Sequence, residues 1–323
     1  MDGGITMIYA PIVIPTLNRM EHLKRCIISL QKNAWAKYTP LVISVDYPPT
    51  EKYQNGYREI CEYLRGGVEG FASAEIIYQK DNLGAYENAE FLRRYIGANY
   101  DRYIFMEDDN ELAPNFIEYI DKGLEIFKDD MDIIAICSSG VSEKEAEDYN
   151  VVLSQNFAAY GYGTWIAKEN LYYEKIERKY IEDIAGNTKL MLKLACAQPR
   201  FIFSLQSAIL KKEKIYQLSN DTVPVIDQTI IMYMFSEQKY VLAPCVNKVR
   251  NWGYDGSGEN CHKDNNYDAT RVIIDQNQNF DYKYVYPLRK AVLRGGYSVE
   301  NICRIILVFL KIWFWRLKKK IVK

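Results

Sequence analysis

The sequence predicts an α/β fold in which a mostly parallel sheet is covered by helices on both faces. Three observations predict it. Short β-branched runs alternate with amphipathic stretches through the first half. Each run is bounded by Gly, Pro, Asn or Asp, as buried strands are. Polar residues cluster directly after four successive runs, on the rim where open α/β sheets bind their ligands. The first run, residues 7–14, lies in a start that lacks the basic residues and small-residue cleavage site of a secretory leader, so it becomes the first core strand. A helix over 19–30 follows, with Leu23, Cys26, Ile27 and Leu30 on one face. Further strands are expected at 41–45, 74–78, 103–106 and 133–137. Helices are expected over 85–96 and over 116–127, where Ile117, Ile120, Leu124 and Phe127 share a face.

The 323 residues are 48% hydrophobic and 26% charged, with a net charge of −1. Such a chain has ample core and no general field for nucleic acid. At roughly 150 residues per domain the length allows two lobes. The expected division is 1–150, then 151–267, where regularity fades and aromatic content rises, then an extension over 268–323. Seven dispersed cysteines, never spaced as C-x-x-C, read as reduced thiols of a cytoplasmic protein. No apolar run is long enough for a membrane span.

The polar clusters carry the chemistry. Thr16 and Arg19 follow the first strand, where the guanidinium fork could grip phosphate oxygens or simply sit on a helix start. Asp46 follows the second strand, either accepting from a base or ribose or opening a turn before two prolines. After the third strand, Asn82-Leu83-Gly84 opens a helix whose N–H groups suit an anionic ligand, or are capped by Asn82. Glu107, Asp108 and Asp109 follow the fourth strand. Three adjacent carboxylates repel one another unless something neutralises them, so they read as an oxygen-ligand site for Mg²⁺ or Mn²⁺, or as a solvated acidic turn ahead of a helix.

The ordered set PTLNR, Asp46, NLG, FMEDDN with AP-NF, YGYGTWIAK, Asp227-Gln228 and NWGYDGSGENC resembles GT-A fold glycosyltransferases, in particular those that assemble bacterial surface polysaccharides. The resemblance runs over residues 8–262. It implies a nucleotide-sugar-binding, Rossmann-like mixed sheet flanked by helices, and transfer of a sugar, from a UDP-sugar first of all, to a glycan or lipid-linked glycan of capsule or O-antigen type. It implies that Thr16, Arg19, Asp46, Asn82 and Gly84 hold the nucleotide, and that Asp109 ligates Mn²⁺ or Mg²⁺ with Glu107 and Asp108 supporting. His262 is a further metal contact or a plain loop histidine. Asp227 is the base of an inverting reaction or a helix N-cap. Tyr160, Tyr162, Trp165 and Trp252 stack on sugars or pack in the core, Trp165 being the first choice for acceptor contact. Cys261 has no second pair at finger-like spacing, which excludes zinc.

Residues 302–323 hold seven Lys or Arg and no Asp or Glu, interleaved with apolar residues. A helix over 302–320 either lies on an anionic membrane, at the inner face of the cell membrane, or docks on the domain with its basic end solvated. Two rival readings are a sugar nucleotidylyltransferase, which needs a glycine-rich loop that PTLNR does not supply, and a glycan-binding protein on an inactive transferase scaffold.

Overall fold

A computed structural model describes residues 8–140, 148–197, 202, 205–206, 209, 216–218, 221–223, 226–258, 267–283, 285–287 and 299–321. They fall into two compact units. The first comprises Met1–Leu153, Ala158–Lys168 and Val241–Pro287; the second comprises Ser154–Phe157, Glu169–Tyr240 and Leu288–Lys323. The expected boundaries after residues 150 and 267 both lie inside the first unit, because two late strands return to its sheet.

The strands are β1 (Ile12–Thr16), β2 (Pro40–Val45), β3 (Ser73–Tyr78), β4 (Arg102–Phe105), β5 (Asn110–Leu112), β6 (Ile133–Cys137), β7 (Val151–Ser154), β8 (Tyr162–Trp165), β9 (Tyr216–Leu218), β10 (Asp221–Val223), β11 (Tyr240–Pro244), β12 (Val249–Asn251) and β13 (Val285–Pro287). Nine of them form one sheet in the order β13-β7-β11-β6-β8-β4-β1-β2-β3. β1 runs parallel to β2 and β4, and β2 to β3. β8 runs antiparallel between β4 and β6, so the sheet is mixed. β1 starts later than expected and extends to Thr16, which places that hydroxyl at the carboxyl end of the strand.

Alternation along the strands sorts the core into two layers. Ile12, Ile14, Leu41, Ile43 and Val45 face one side, packed with Leu23, Cys26, Ile27 and Leu30 of α1 (Met20–Gln31), Ile60 and Leu64 of α2 (Glu51–Arg65), and Phe116, Ile117, Ile120 and Leu124 further along. Val13, Val42 and Tyr103 face the other side with Leu92 and Ile96 of α3 (Ala85–Gly97). The expected apolar faces of the first and fourth helices are therefore the buried ones, the fourth being α4 (Phe116–Ile126). β5 and β12 form a separate antiparallel ribbon that pairs Asn110 with Asn251 and Leu112 with Val249.

The second unit is mainly helical. It contains helices Arg178–Gly186, Thr188–Ala197, Ile226–Glu237 and Val299–Ile321, and the antiparallel pair of β9 and β10. The Tyr172 and Thr229 hydroxyls lie 2.6 Å apart within it.

Candidate functional site

The carboxyl ends of β3, β2, β1 and β4 lie side by side, and the predicted polar residues meet there in two groups. In the first, the Thr16 hydroxyl donates to Asp108 Oδ2 at 2.7 Å. The Arg19 guanidinium, just ahead of α1, pairs with Asp108 Oδ1 and, at 2.8 Å, with Asp109 Oδ2. Both aspartates are buried. Burial pushes the Asp109 carboxyl above the usual range and Asp108 adds to that, while Arg19 pulls the other way. Burial disfavours the Arg19 charge, but the two carboxylates outweigh it and hold the proton more tightly than usual. One guanidinium thus pairs with two adjacent carboxylates and offsets one of their two negative charges. Glu107 is half-buried beside them.

The second group is built by Asp46. Its Oδ1 accepts from the N–H groups of Tyr47 at 2.9 Å and Leu83 at 2.8 Å; its Oδ2 accepts from Gly84 N–H at 2.8 Å and Asn82 Nδ2 at 3.1 Å. Four donors fill the lone-pair positions of a carboxylate. Asp46 therefore holds the 82–84 turn to the end of β2, and the Leu83 and Gly84 N–H groups just ahead of α3 are spent on the chain's own anion. Gly84 adopts φ +81°, a conformation that favours glycine. Asp46→Ala should remove the carboxylate acceptor of three backbone N–H groups, those of Tyr47, Leu83 and Gly84, cost about 1–3 kcal/mol of stability and accelerate amide exchange at Leu83 and Gly84. Exchange as slow as in the native chain would show that the turn holds without the carboxylate.

Four residues not expected from the sequence complete the first group. The β5–β12 ribbon brings Asn251 over the carboxylates, where its Nδ2 donates to Asp109 Oδ1 at 2.8 Å. Gly253 follows so closely that a Cβ there would overlap Asp109 Oδ2. His22 Nε2 lies 3.0 Å from Asp255 Oδ2. Burial raises the Asp255 pKa, but Ser257 and His22 hold it down at about 2. The glycine-rich segment 251–258 is thus in part strand and 3₁₀ turn. The signal was Gly253 within NWGYD, a glycine whose position a Cβ could not share with Asp109.

The aromatics divide. Trp252 donates from Nε1 to Glu111 at 2.9 Å and carries the Arg25 guanidinium 4.3 Å from its ring centroid. The Tyr160 and Tyr254 hydroxyls meet at 2.5 Å. Tyr162 packs on Phe105. Trp165, the first choice for acceptor contact, is a core residue: it is 4% exposed and donates from Nε1 to the Leu124 carbonyl at 3.2 Å. Its place on β8, flanked by two strands, turns the ring inward.

Among the described residues no group of three or more His, Cys, Asp or Glu converges on one point. Asp108 and Asp109 nevertheless fit a hard cation in donor chemistry, since Mg²⁺-type ions take one or two carboxylates and complete their shell with water and phosphate. The cation would contend with Arg19 for the same oxygens. His262 lies outside the described residues. Asp227 stands in the first turn of helix Ile226–Glu237 in the second unit, its side chain outside what is described.

No protein-family model matches the chain, and no curated protein matches it by sequence. Among solved structures it is similar to residues 1–349 of S. aureus TarS in complex with UDP, at 14% identity and TM-score 0.34 over 51% of this chain and 49% of that one. It is also similar to the WbbM bifunctional glycosyltransferase, at 11% and 0.30 over 54% and 35%, and to mouse xyloside xylosyltransferase 1, at 11% and 0.33 over 55% and 76%. The chain thus spans about half of the TarS fragment and about a third of WbbM. Likenesses of this size leave the function to be argued from the chain's own residues.

Proposed function

We propose that the chain is a GT-A-type glycosyltransferase. It moves a sugar from a nucleotide-sugar, UDP-linked first of all, to a glycan or lipid-linked glycan acceptor in bacterial surface polysaccharide assembly, with inversion. The observation that carries this reading is the convergence of Thr16, Arg19, Asp46, Asn82–Gly84 and Asp108–Asp109 at four adjacent strand ends, the rim where α/β sheets bind nucleotides. Arg19 and Thr16 offer a fork and a hydroxyl suited to a diphosphate. Asp46, through the turn it holds, shapes the wall beside them. Asp109 would hold Mn²⁺ or Mg²⁺, supported by Glu107, Asp108 and His262; the bound ion supplies neutralising charge to the departing diphosphate. Asp227 takes the acceptor hydroxyl's proton as that oxygen attacks the anomeric carbon and the bond to the diphosphate breaks.

Calorimetric titration with nucleoside diphosphates, with and without Mn²⁺, tests the reading. One nucleotide should bind in a metal-dependent way, and Asp109→Ala should abolish that binding. Asp227→Asn should keep donor affinity and lose turnover by roughly 10²–10⁴-fold. If no nucleotide binds, the transfer reading fails and glycan binding on an inactive scaffold takes its place.

A further inference from the structure

The helix Val299–Ile321 of the second unit presents two unlike faces. Val308 and Ile312 are buried, and Arg316 donates to the Ala185 carbonyl and, at 2.9 Å, to the Thr188 hydroxyl, so one side of the helix is fixed to its own unit. On the other side Ile306, Leu307, Leu310, Trp313, Phe314 and Leu317 are between 37% and 57% exposed. At ~100° per residue these six span an arc of roughly 120°, and the exposed Lys311 and Lys318 line one edge of it. A contiguous apolar strip of this kind marks an interaction surface, not ordinary surface scatter.

We infer that this strip is a docking face for an anionic lipid surface, on which the helix lies in the plane of the headgroups. Charge selects the occupant. Residues 302–323 carry seven basic and no acidic residues, which complement anionic headgroups, whereas a second copy of the same face would bring like charges together. Trp313 and Phe314 belong at the boundary between headgroups and acyl chains, where aromatic rings are favoured. Among the described residues no helix is long and apolar enough to cross a membrane, which agrees with lying on the surface instead of spanning it. Of the two sequence expectations, docking on the domain is met by the Val308, Ile312 and Arg316 face, and membrane contact is what we infer for the opposite one.

The inference does not depend on the transfer reading, and its test uses no nucleotide. The full chain is sedimented with vesicles of phosphatidylcholine alone and of phosphatidylcholine with phosphatidylglycerol. It should bind the second and leave the first in solution. Replacing Leu310, Trp313 and Phe314 together by Ser should weaken binding by at least roughly a hundredfold. Lys311→Glu with Lys318→Glu should weaken it by roughly tenfold or more. All five side chains are exposed, so circular dichroism and thermal melting should match the native chain. If the triple variant does not fold, the charge-reversed pair carries the test alone. The inference is overturned by equal binding to neutral and anionic vesicles, by binding to neither, or by a dimer on gel filtration that the Ser variant abolishes.

Discussion

Arg19→Gln protein should melt well below the native chain in metal-free buffer, with a loss of about 3 kcal/mol, the scale for removing one partner of a buried ion pair. The substitution leaves Asp108 and Asp109 adjacent, buried and without their shared counter-charge. Thr16 and Asn251 still donate one hydrogen bond each, but neutral donors do not cancel two negative charges. If the same carboxylates take a divalent ion, Mn²⁺ should raise the melting temperature of the variant more than that of the native chain, because the ion no longer contends with the guanidinium. Melting curves in chelator and in Mn²⁺ read both effects. An equal Mn²⁺ shift in the two proteins would remove Asp108 and Asp109 from any metal site. A variant as stable as the native chain in chelator would mean that the carboxylates are not held by Arg19.

A second large effect is expected near the amino end of β1, the end away from the Thr16 cluster. Asp121 of α4 is fully buried; its Oδ1 accepts from Ala10 N–H at 3.0 Å, and its Oδ2 has no hydrogen-bond partner among the described residues. Burial drives its pKa up to about 8, against the opposing pull of Ala10 N–H and Arg102. The folded-state value lies above the unfolded one, so the folded chain binds the proton more tightly. The stability that this proton contributes is complete below about pH 4 and is lost as pH rises toward 8, a change on the order of 5 kcal/mol. Asp121→Asn keeps the acceptor for Ala10 and cannot ionise. The variant should therefore have a flatter stability profile between pH 5 and 8 and exceed the native chain at the alkaline end, with nucleotide binding unchanged. Parallel slopes in urea titrations across that range would refute the assignment.

The frame of the fold was legible in the sequence because its signals are local. The spacing of Leu23, Cys26, Ile27 and Leu30 and the β-branched runs around Ile43 and Ile104 each lie within a dozen residues. The strand-end cluster was legible for the same reason: each member directly follows its own strand. What each member does there was not. Asp46 reads as a ligand for nucleotide until the 82–84 turn is seen to occupy it from 37 residues away. That Arg19 also pairs with two aspartates is invisible in the sequence, because Asp108 lies 89 residues further on and Asp109 one beyond it. Asn251 reached the site through a three-residue ribbon, too short for a periodic pattern to announce. Trp165 reads as a binding residue because an aromatic beside glycines suggests a turn, whereas Gly163 serves a packed strand. A Cβ at Gly163 would run into Ile120 and Leu124.

The order of strands in the sheet also bears on how the chain is made. β6 is flanked by β8 and β11, so one of its edges stays bare until residues 240–244 have left the ribosome, and β7 waits longer still for β13. Through that interval the nascent chain exposes unpaired, apolar backbone of the kind that recruits other strands. Expression that is truncated or paused between β8 and β11 should therefore yield aggregate, not a small nucleotide-binding fragment. Any minimal form of the first unit has to carry residues 241–287 along with the early strands they complete.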